Sequence, residues 1–273
     1  MQTESSDSTL QPDPARGRSP HLSLVMPCYD EEDIVGYTIN RLLETFRRAG
    51  YQLELIAVDN GSRDRTGEII RSLAAQNPNV VPHRVEVNQG YGYGVLSGLP
   101  LGAAPWIGII PADGQVDAED VVRLYEAVAA ARGRVLGKVR RRFRMDGFKR
   151  KVVSTGYNLL VLALWPRLGS LDVNGTPKIL PREAVQAMDL RSTGWFLDPE
   201  IMIKAHAMGI RILEFNSFAR LRGSGVSHVR PSTCWEFLRN LLYYRFSGEI
   251  PRWRKSVRQA ETAAASSTAT GSM

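Results

Sequence analysis

Residues 53–73, LELIAVDNGSRDRTGEIIRSL, decide how this chain folds. Leu53–Val58 is an apolar run of the length of one buried strand. Asp59-Asn60-Gly61-Ser62 breaks it with four turn-forming residues, and Asp64 or Thr66 can cap the helix on which Ile69, Ile70 and Leu73 recur. A strand that runs through a polar turn into an amphipathic helix is half of a β-α-β unit, and the alternation extends both ways. Upstream, His21–Met26 is an apolar run stopped by Pro27, and Val35, Ile39, Leu42, Leu43 and Phe46 recur at helical spacing as far as Gly50. Downstream, Val80–Val87 reads as a strand, Gly90–Gly102 supplies small residues for close helix–sheet packing, and Trp106–Ile110 is another buried strand. The order predicts an α/β fold with a Rossmann-like, mostly parallel sheet flanked by helices.

The second half is less regular. The expectation there is a strand over 134–139, helices over 148–165, 181–189, 198–208 and 233–246, and a strand over Arg211–Phe215. Parallel sheets bind ligands outside the carboxyl ends of their strands. Three polar clusters stand at such ends: Tyr29–Glu32, Asp59–Ser62 and Asp113–Gln115. Their placement makes them one candidate site.

The chain has 273 residues, enough for one large α/β domain. Residues 1–20 are polar and Pro-rich and residues 256–273 are an Ala/Ser/Thr tail, so both are expected to be disordered around a single domain at 21–255. The two cysteines, Cys28 and Cys234, have no metal-like spacing and suit a reducing cytosol. No secretory leader is visible, and Val152–Trp165, the longest apolar candidate, is too short to span a bilayer. The net charge of +7 is concentrated between Arg134 and Lys151, where nine basic residues stand with one acid, Asp146. Aromatics are not interleaved with that run and it fits no nucleic-acid module, so nucleic acid is not the expected partner.

The motifs resemble those of the family 2 glycosyltransferases, most closely their polyprenyl-phosphate branch, the dolichyl-phosphate mannose synthase-like enzymes. Val25-Met26-Pro27-Cys28-Tyr29-Asp30-Glu31-Glu32 resembles the family's Pro-x-Tyr-Asn-Glu first-strand motif, and Val58-Asp59-Asn60-Gly61-Ser62 its Asp-Asp-Gly-Ser turn. Asn88-Gln89-Gly90 with Gly94 and Gly98 follows its Gly-rich helix start, and Asp113-Gly114-Gln115 takes the place of its Asp-x-Asp-x-Gln metal motif. The resemblance implies a GT-A fold and inverting transfer of a sugar from a nucleotide diphosphate. Pro27, Tyr29, Glu31, Asp59, Asn60, Gly90, Ala112, Asp113 and Lys178 would then line the nucleotide-sugar site. Displacement at an anomeric carbon sends negative charge onto the leaving diphosphate, and Mg²⁺ or Mn²⁺ held by hard oxygen ligands neutralises it. Asp113 and Gln115 would hold that ion, in a motif whose first aspartate is here Pro111.

The resemblance continues through Asp172-Val173-Asn174-Gly175-Thr176-Pro177-Lys178, a turn that lines the donor pocket in the family, and through Phe196-Leu197-Asp198-Pro199-Glu200. Asp198 is expected either as a general base for a hydroxyl acceptor or as a helix N-cap with Pro199 in the first turn. Arg222-Gly223-Ser224-Gly225-Val226-Ser227-His228 matches a third motif. Its Arg222 would contact a diphosphate or an acceptor phosphate, with Arg140 and Ser227 beside it. Asp113, Asp198 and Arg222 are thus the expected catalytic set. A polyprenyl phosphate, the expected acceptor, is already ionised and needs cations more than a base, and the Arg134–Lys151 run next to the apolar 152–165 segment offers them. A soluble hydroxyl acceptor and a non-catalytic nucleotide-sugar-binding protein are the alternatives. The basic run beside the apolar 152–165 segment suits an anionic membrane surface, so the expected location is the cytoplasm, peripheral at the inner face of a membrane.

Overall fold

The computed structural model describes residues 19–141, 148–170, 172–217 and 231–270. Four β-strands alternate with helices in the first half: β1 (Leu22–Cys28), α1 (Val35–Arg48), β2 (Leu53–Asn60), α2 (Thr66–Gln76), β3 (Val80–Val85), α3 (Tyr91–Gly98) and β4 (Trp106–Ile109). There follow α4 (Ala118–Ala130), β5 (Val135–Arg141), α5 (Phe148–Leu164), β6 (Lys178–Pro181), α6 (Arg182–Met188), α7 (Leu197–Ala207), β7 (Arg211–Ser217), α8 (Pro231–Phe246) and α9 (Glu249–Thr270). They form one seven-stranded sheet of order β3-β2-β1-β4-β6-β5-β7. β1 pairs in parallel with β2 and β4, and β6 runs antiparallel to both β4 and β5. The mostly parallel, helix-flanked sheet expected from the sequence is present.

Side chains alternate between the two faces along each strand. Leu22, Leu24, Met26 and Cys28 of β1, with Leu53, Leu55 and Ala57 of β2, pack under α1, α2 and α4. Val25 of β1, with Ile56 and Val58 of β2, faces α3 and the later helices α6, α7 and α8. Gly98 shows why the Gly-rich helix lies so near the sheet: a Cβ there would come within 2.7 Å of Val25 and 2.8 Å of Val58. That close approach is what the spacing of glycines predicted.

Three expectations need correction. The sequence predicts no strand between 172 and 181, yet β6 lies there; four residues in an antiparallel strand are too few to show a period. Helix α7 begins at Leu197 with Phe196 as its N-cap, so Asp198 lies inside the first turn and makes no capping hydrogen bond. The folded part does not stop at 255, since α9 runs on to Thr270. Val257 is buried and Glu261 accepts a hydrogen bond from Arg134 at 2.8 Å, contacts that a low-complexity composition does not reveal. The N-terminal tail as far as residue 18 lies outside the described residues. No described helix is long and apolar enough to cross a membrane.

Candidate active site

The strand order reverses between β1 and β4, and the polar clusters gather at that edge. β1 ends at Cys28 beside Asp59, the loop after β4 carries Pro111–Gln115, and the antiparallel β6 starts there with Lys178 opposite Ile109. β5 runs toward the same edge and brings Lys138 opposite Lys178, with Arg140 beyond it. Pro27, Tyr29, Glu31, Asp59, Asn60, Asp113, Gln115, Lys178 and Arg140 therefore share one rim, as a doubly wound sheet requires.

The loops after β1 and β2 are sewn together. Asp30 and Glu32 accept from the backbone amides of Arg63 and Arg65 at 2.8 and 3.0 Å. In return, the amides of Asp30, Glu31 and Glu32 donate to Ser62, Thr66 and Asp64. Asp64 also accepts from the amide of Thr66 and so shapes the turn, while the N-cap position of α2 falls on Arg65, between the two residues expected to cap it. Asp59 is buried and already engaged: one oxygen accepts from the amide of Ser62 at 3.0 Å, the other from Arg84 at 2.6 Å. The Arg84 side chain is 44% exposed, so the pair presents a guanidinium at the rim where the sequence suggested a bare carboxylate. Burial first, and then the charges of Glu31, Asp59 and Asp64, push the Cys28 thiol well above its ordinary range.

A strap over 191–195 closes the opposite side. Thr193 accepts from the Tyr93 amide at 2.8 Å, and Trp195 stacks on Tyr91 with ring centroids 4.9 Å apart and planes 7° apart. Gly90, at φ 108°, and Gly92 lie under the strap; Cβ atoms there would fall 2.7 Å from the Thr193 carbonyl and 2.2 Å from that of Ser192. Gly90 is thus needed for the strap and for its own carbonyl, which accepts from Asn60 at 3.0 Å. Glu200 fixes the strap from below, accepting from the amides of Arg191 and Ser192 and from Lys204 at 2.7 Å.

Behind the rim lies a buried ionic cluster. Lys178 is fully buried and bonds Asp198, itself 5% exposed, at 2.5 Å. Desolvation draws the Lys178 ammonium below its usual range and pushes the Asp198 carboxyl above its own, each opposed by the other's charge. Lys138, also fully buried, donates to Ser170 and Glu214, each at 3.0 Å, and to the Asp172 carbonyl. Two sequence expectations change here. Lys178, expected at the donor, and Asp198, expected as a base or as a helix N-cap, are joined as a pair inside the fold. Lys138 was read as part of a basic run. Its phase with the buried Leu136, two residues earlier on β5, was the available signal that it points inward.

Three buried polar atoms have no partner among the described residues: Asn60 Oδ1 at the end of β2, Asn174 Oδ1 in the turn before β6, and Tyr157 Oη on α5. An unmet buried group costs about 1–3 kcal/mol. Arg140 is partly exposed and 3.9 Å from Glu214. Arg222 and Ser227 lie outside the described residues. Among the described residues no three His, Cys, Asp or Glu side chains gather to hold a metal ion. Asp113 Oδ1 accepts from the Gln115 amide at 3.1 Å, which holds the two side chains on one tight loop. One carboxylate and one side-chain amide make a hard oxygen set that suits Mg²⁺ or Mn²⁺ only as an ion completed by phosphate oxygens and water.

A model of the family described as glycosyl transferase family 2 matches residues 23–188. An undecaprenyl-phosphate 4-deoxy-4-formamido-L-arabinose transferase of Pectobacterium carotovorum is 33% identical over 143 residues, which are 52% of this chain and 43% of that protein. A dolichol-phosphate mannosyltransferase of Pyrococcus furiosus is 25% identical over 240 residues, covering 85% of this chain and 66% of the relative. The chain thus spans from 43% to 66% of the length of these curated relatives. Among solved structures, glucosyl-3-phosphoglycerate synthase from Mycobacterium tuberculosis, crystallised with Mn²⁺, uridine diphosphate and phosphoglyceric acid, superposes with a TM-score of 0.63 at 20% identity. The match covers 82% of this chain and 78% of that one, and it shows the fold. By the extent of the family match, the seven-stranded sheet and the loops at its switch point, this chain belongs to glycosyl transferase family 2.

Proposed function

We propose that this protein transfers a sugar from a nucleotide diphosphate to a polyprenyl phosphate. The burial of Asp198 carries the choice of acceptor. A hydroxyl acceptor needs a base to take its proton, and the carboxylate in line for that task is closed off in an ion pair with Lys178. A phosphate oxygen arrives ionised and asks only to be positioned by cations. Arg140 stands at the rim for this, and the proposal keeps Arg222 and Ser227 beside it. The names of the relatives, which act on undecaprenyl and dolichol phosphates, agree with this class of acceptor.

In this reading Tyr29, Glu31 and the Asp59–Arg84 pair hold the nucleoside end of the donor, and Asn60 and Asn174 offer acceptors to its hydroxyl groups. Asp113 and Gln115 would hold Mg²⁺ or Mn²⁺, which when bound neutralises the leaving diphosphate. The acceptor phosphate oxygen forms a bond to the anomeric carbon as the bond from that carbon to the diphosphate breaks, with inversion. No proton needs to move. The Lys178–Asp198 pair acts as a positioning element: it anchors the start of β6 and hence the 172–177 turn. Gly175 is required in that turn because a Cβ would lie 2.3 Å from the Val139 carbonyl.

Calorimetry with uridine and guanosine diphosphates, with Mn²⁺ and with chelator, tests the donor half. The expected result is binding of one nucleotide that weakens at least about tenfold when the metal is removed. Absence of binding by either nucleotide would overturn the transferase reading for this chain.

A further inference from the structure

Helix α8 has one face inside the protein and one outside it. Inside, Leu241 and Tyr244 are buried, and Phe237 lies 4.8 Å from Tyr157 and 6.2 Å from Phe196 between ring centroids. On the other side stand Trp235, Arg239, Leu242 and Phe246, spaced by four, three and four residues and so in one stripe, with Tyr243 at its edge. These are among the most exposed large apolar side chains of the described residues: Trp235 69%, Leu242 42%, Tyr243 52% and Phe246 70%. Such a row of aromatic and aliphatic groups is not the scatter found on an ordinary surface. Its surroundings are basic. Arg239 and Arg245 are exposed on α8, Arg245 lying over the Phe246 ring at 5.6 Å, and Arg252, Lys255 and Arg258 are exposed on α9. Among the described side chains the acids nearby are engaged: Glu249 with Tyr243, and Glu261 with Arg134 and Arg254.

We infer that the outward face of α8, with the first turns of α9, is a docking surface for an anionic phospholipid bilayer. Apolar rings flanked by arginines suit the boundary between acyl chains and negatively charged headgroups, where tryptophan and tyrosine settle and cations meet phosphates. The inference rests on the lipid-borne acceptor proposed above and adds the surface by which the enzyme reaches it. The inner face of the same helix supports the placement. Tyr244 hydrogen-bonds Glu200, whose carboxylate holds the amides of Arg191 and Ser192 in the strap at the rim of the site. A bilayer on the outer face of α8 therefore lies one helix away from the site. A second copy of the chain is the competing occupant; the five exposed arginine and lysine side chains around the stripe would then face their own kind.

The test is co-sedimentation of the full chain with vesicles of phosphatidylcholine alone or of phosphatidylcholine with phosphatidylglycerol. The expected result is binding at least about tenfold tighter to the anionic vesicles, lost by a further tenfold or more in Trp235→Ser/Phe246→Ser and weakened by salt. Arg239→Glu/Arg245→Glu is a second variant on the same face, expected to abolish the preference for anionic lipid with an unchanged melting temperature. Vesicle binding that neither variant alters, or no binding to anionic vesicles, would overturn the surface. So would a dimer in solution that Trp235→Ser/Phe246→Ser dissociates. Transfer to a detergent-dispersed polyprenyl phosphate separates this inference from the reading it rests on. Transfer without vesicle binding removes the docking surface alone, and vesicle binding without transfer removes the proposed acceptor alone.

Discussion

Asparagine in place of Asp113 is expected to slow sugar transfer about a hundred- to a thousand-fold, the loss typical when one preorganised charge-stabilising group is removed. The substitution is informative because it is sterically quiet. Asp113 Oδ1 accepts from the Gln115 amide, and the carbonyl of an asparagine can keep that hydrogen bond. The loop after β4 should stay in place while the only carboxylate between Pro111 and Gln115 disappears. Melting temperature and nucleotide affinity in chelator should match wild type, and the affinity gained from Mn²⁺ should vanish. Full activity in the variant would show that the leaving diphosphate is neutralised by other groups.

The largest effect on stability is expected at Lys178. Lys178→Met leaves the Asp198 carboxylate in a site that is 5% exposed with its partner gone, and breaking a buried pair from one side costs about 3–5 kcal/mol. The companion variant Lys178→Met/Asp198→Leu removes both charges and should recover most of the loss, since buried ion pairs contribute little net stability over apolar groups of similar size. Urea midpoints at constant slope measure both. A single variant as stable as wild type would mean that the pair seen in the fold does not form in solution. Recovery of stability together with transfer would support the positioning role given to the pair, and recovery of stability alone would mean that one of the two charges acts on a substrate.

The first half of the fold was legible because each of its elements carries a complete signal. Val35, Ile39, Leu42 and Phe46 lie on one side of α1 and are all buried, and Gly50 ends that helix at φ 82°. The glycines at 94 and 98 are spaced for the close approach of α3 to the sheet. The site was legible as a set of turns, because a parallel sheet puts every strand-to-helix turn at one edge. What the sequence hid was pairing across distance. Nothing local to Asp59 announces Arg84, which is its neighbour only because β2 and β3 lie side by side. Lys178 and Asp198 look like two functional residues until β6 and α7 are packed together. Lys138 looks like one more cation in a basic run, and Glu214, which neutralises it, stands 76 residues away. The charge run is thus not one solvated face: Lys138 is inside, and Arg134 is tied to α9 through Glu261.

One assay bears most directly on the central claim: incubation of the full chain with a radiolabelled nucleotide-diphosphate sugar, Mn²⁺ and a polyprenyl phosphate, followed by extraction into organic solvent. The account predicts label in the lipid fraction, dependent on the phosphate of the acceptor and lost with the unphosphorylated polyprenol and with Asp113→Asn. Label that moves equally well to the unphosphorylated alcohol, or that appears only as free sugar in water, would contradict it.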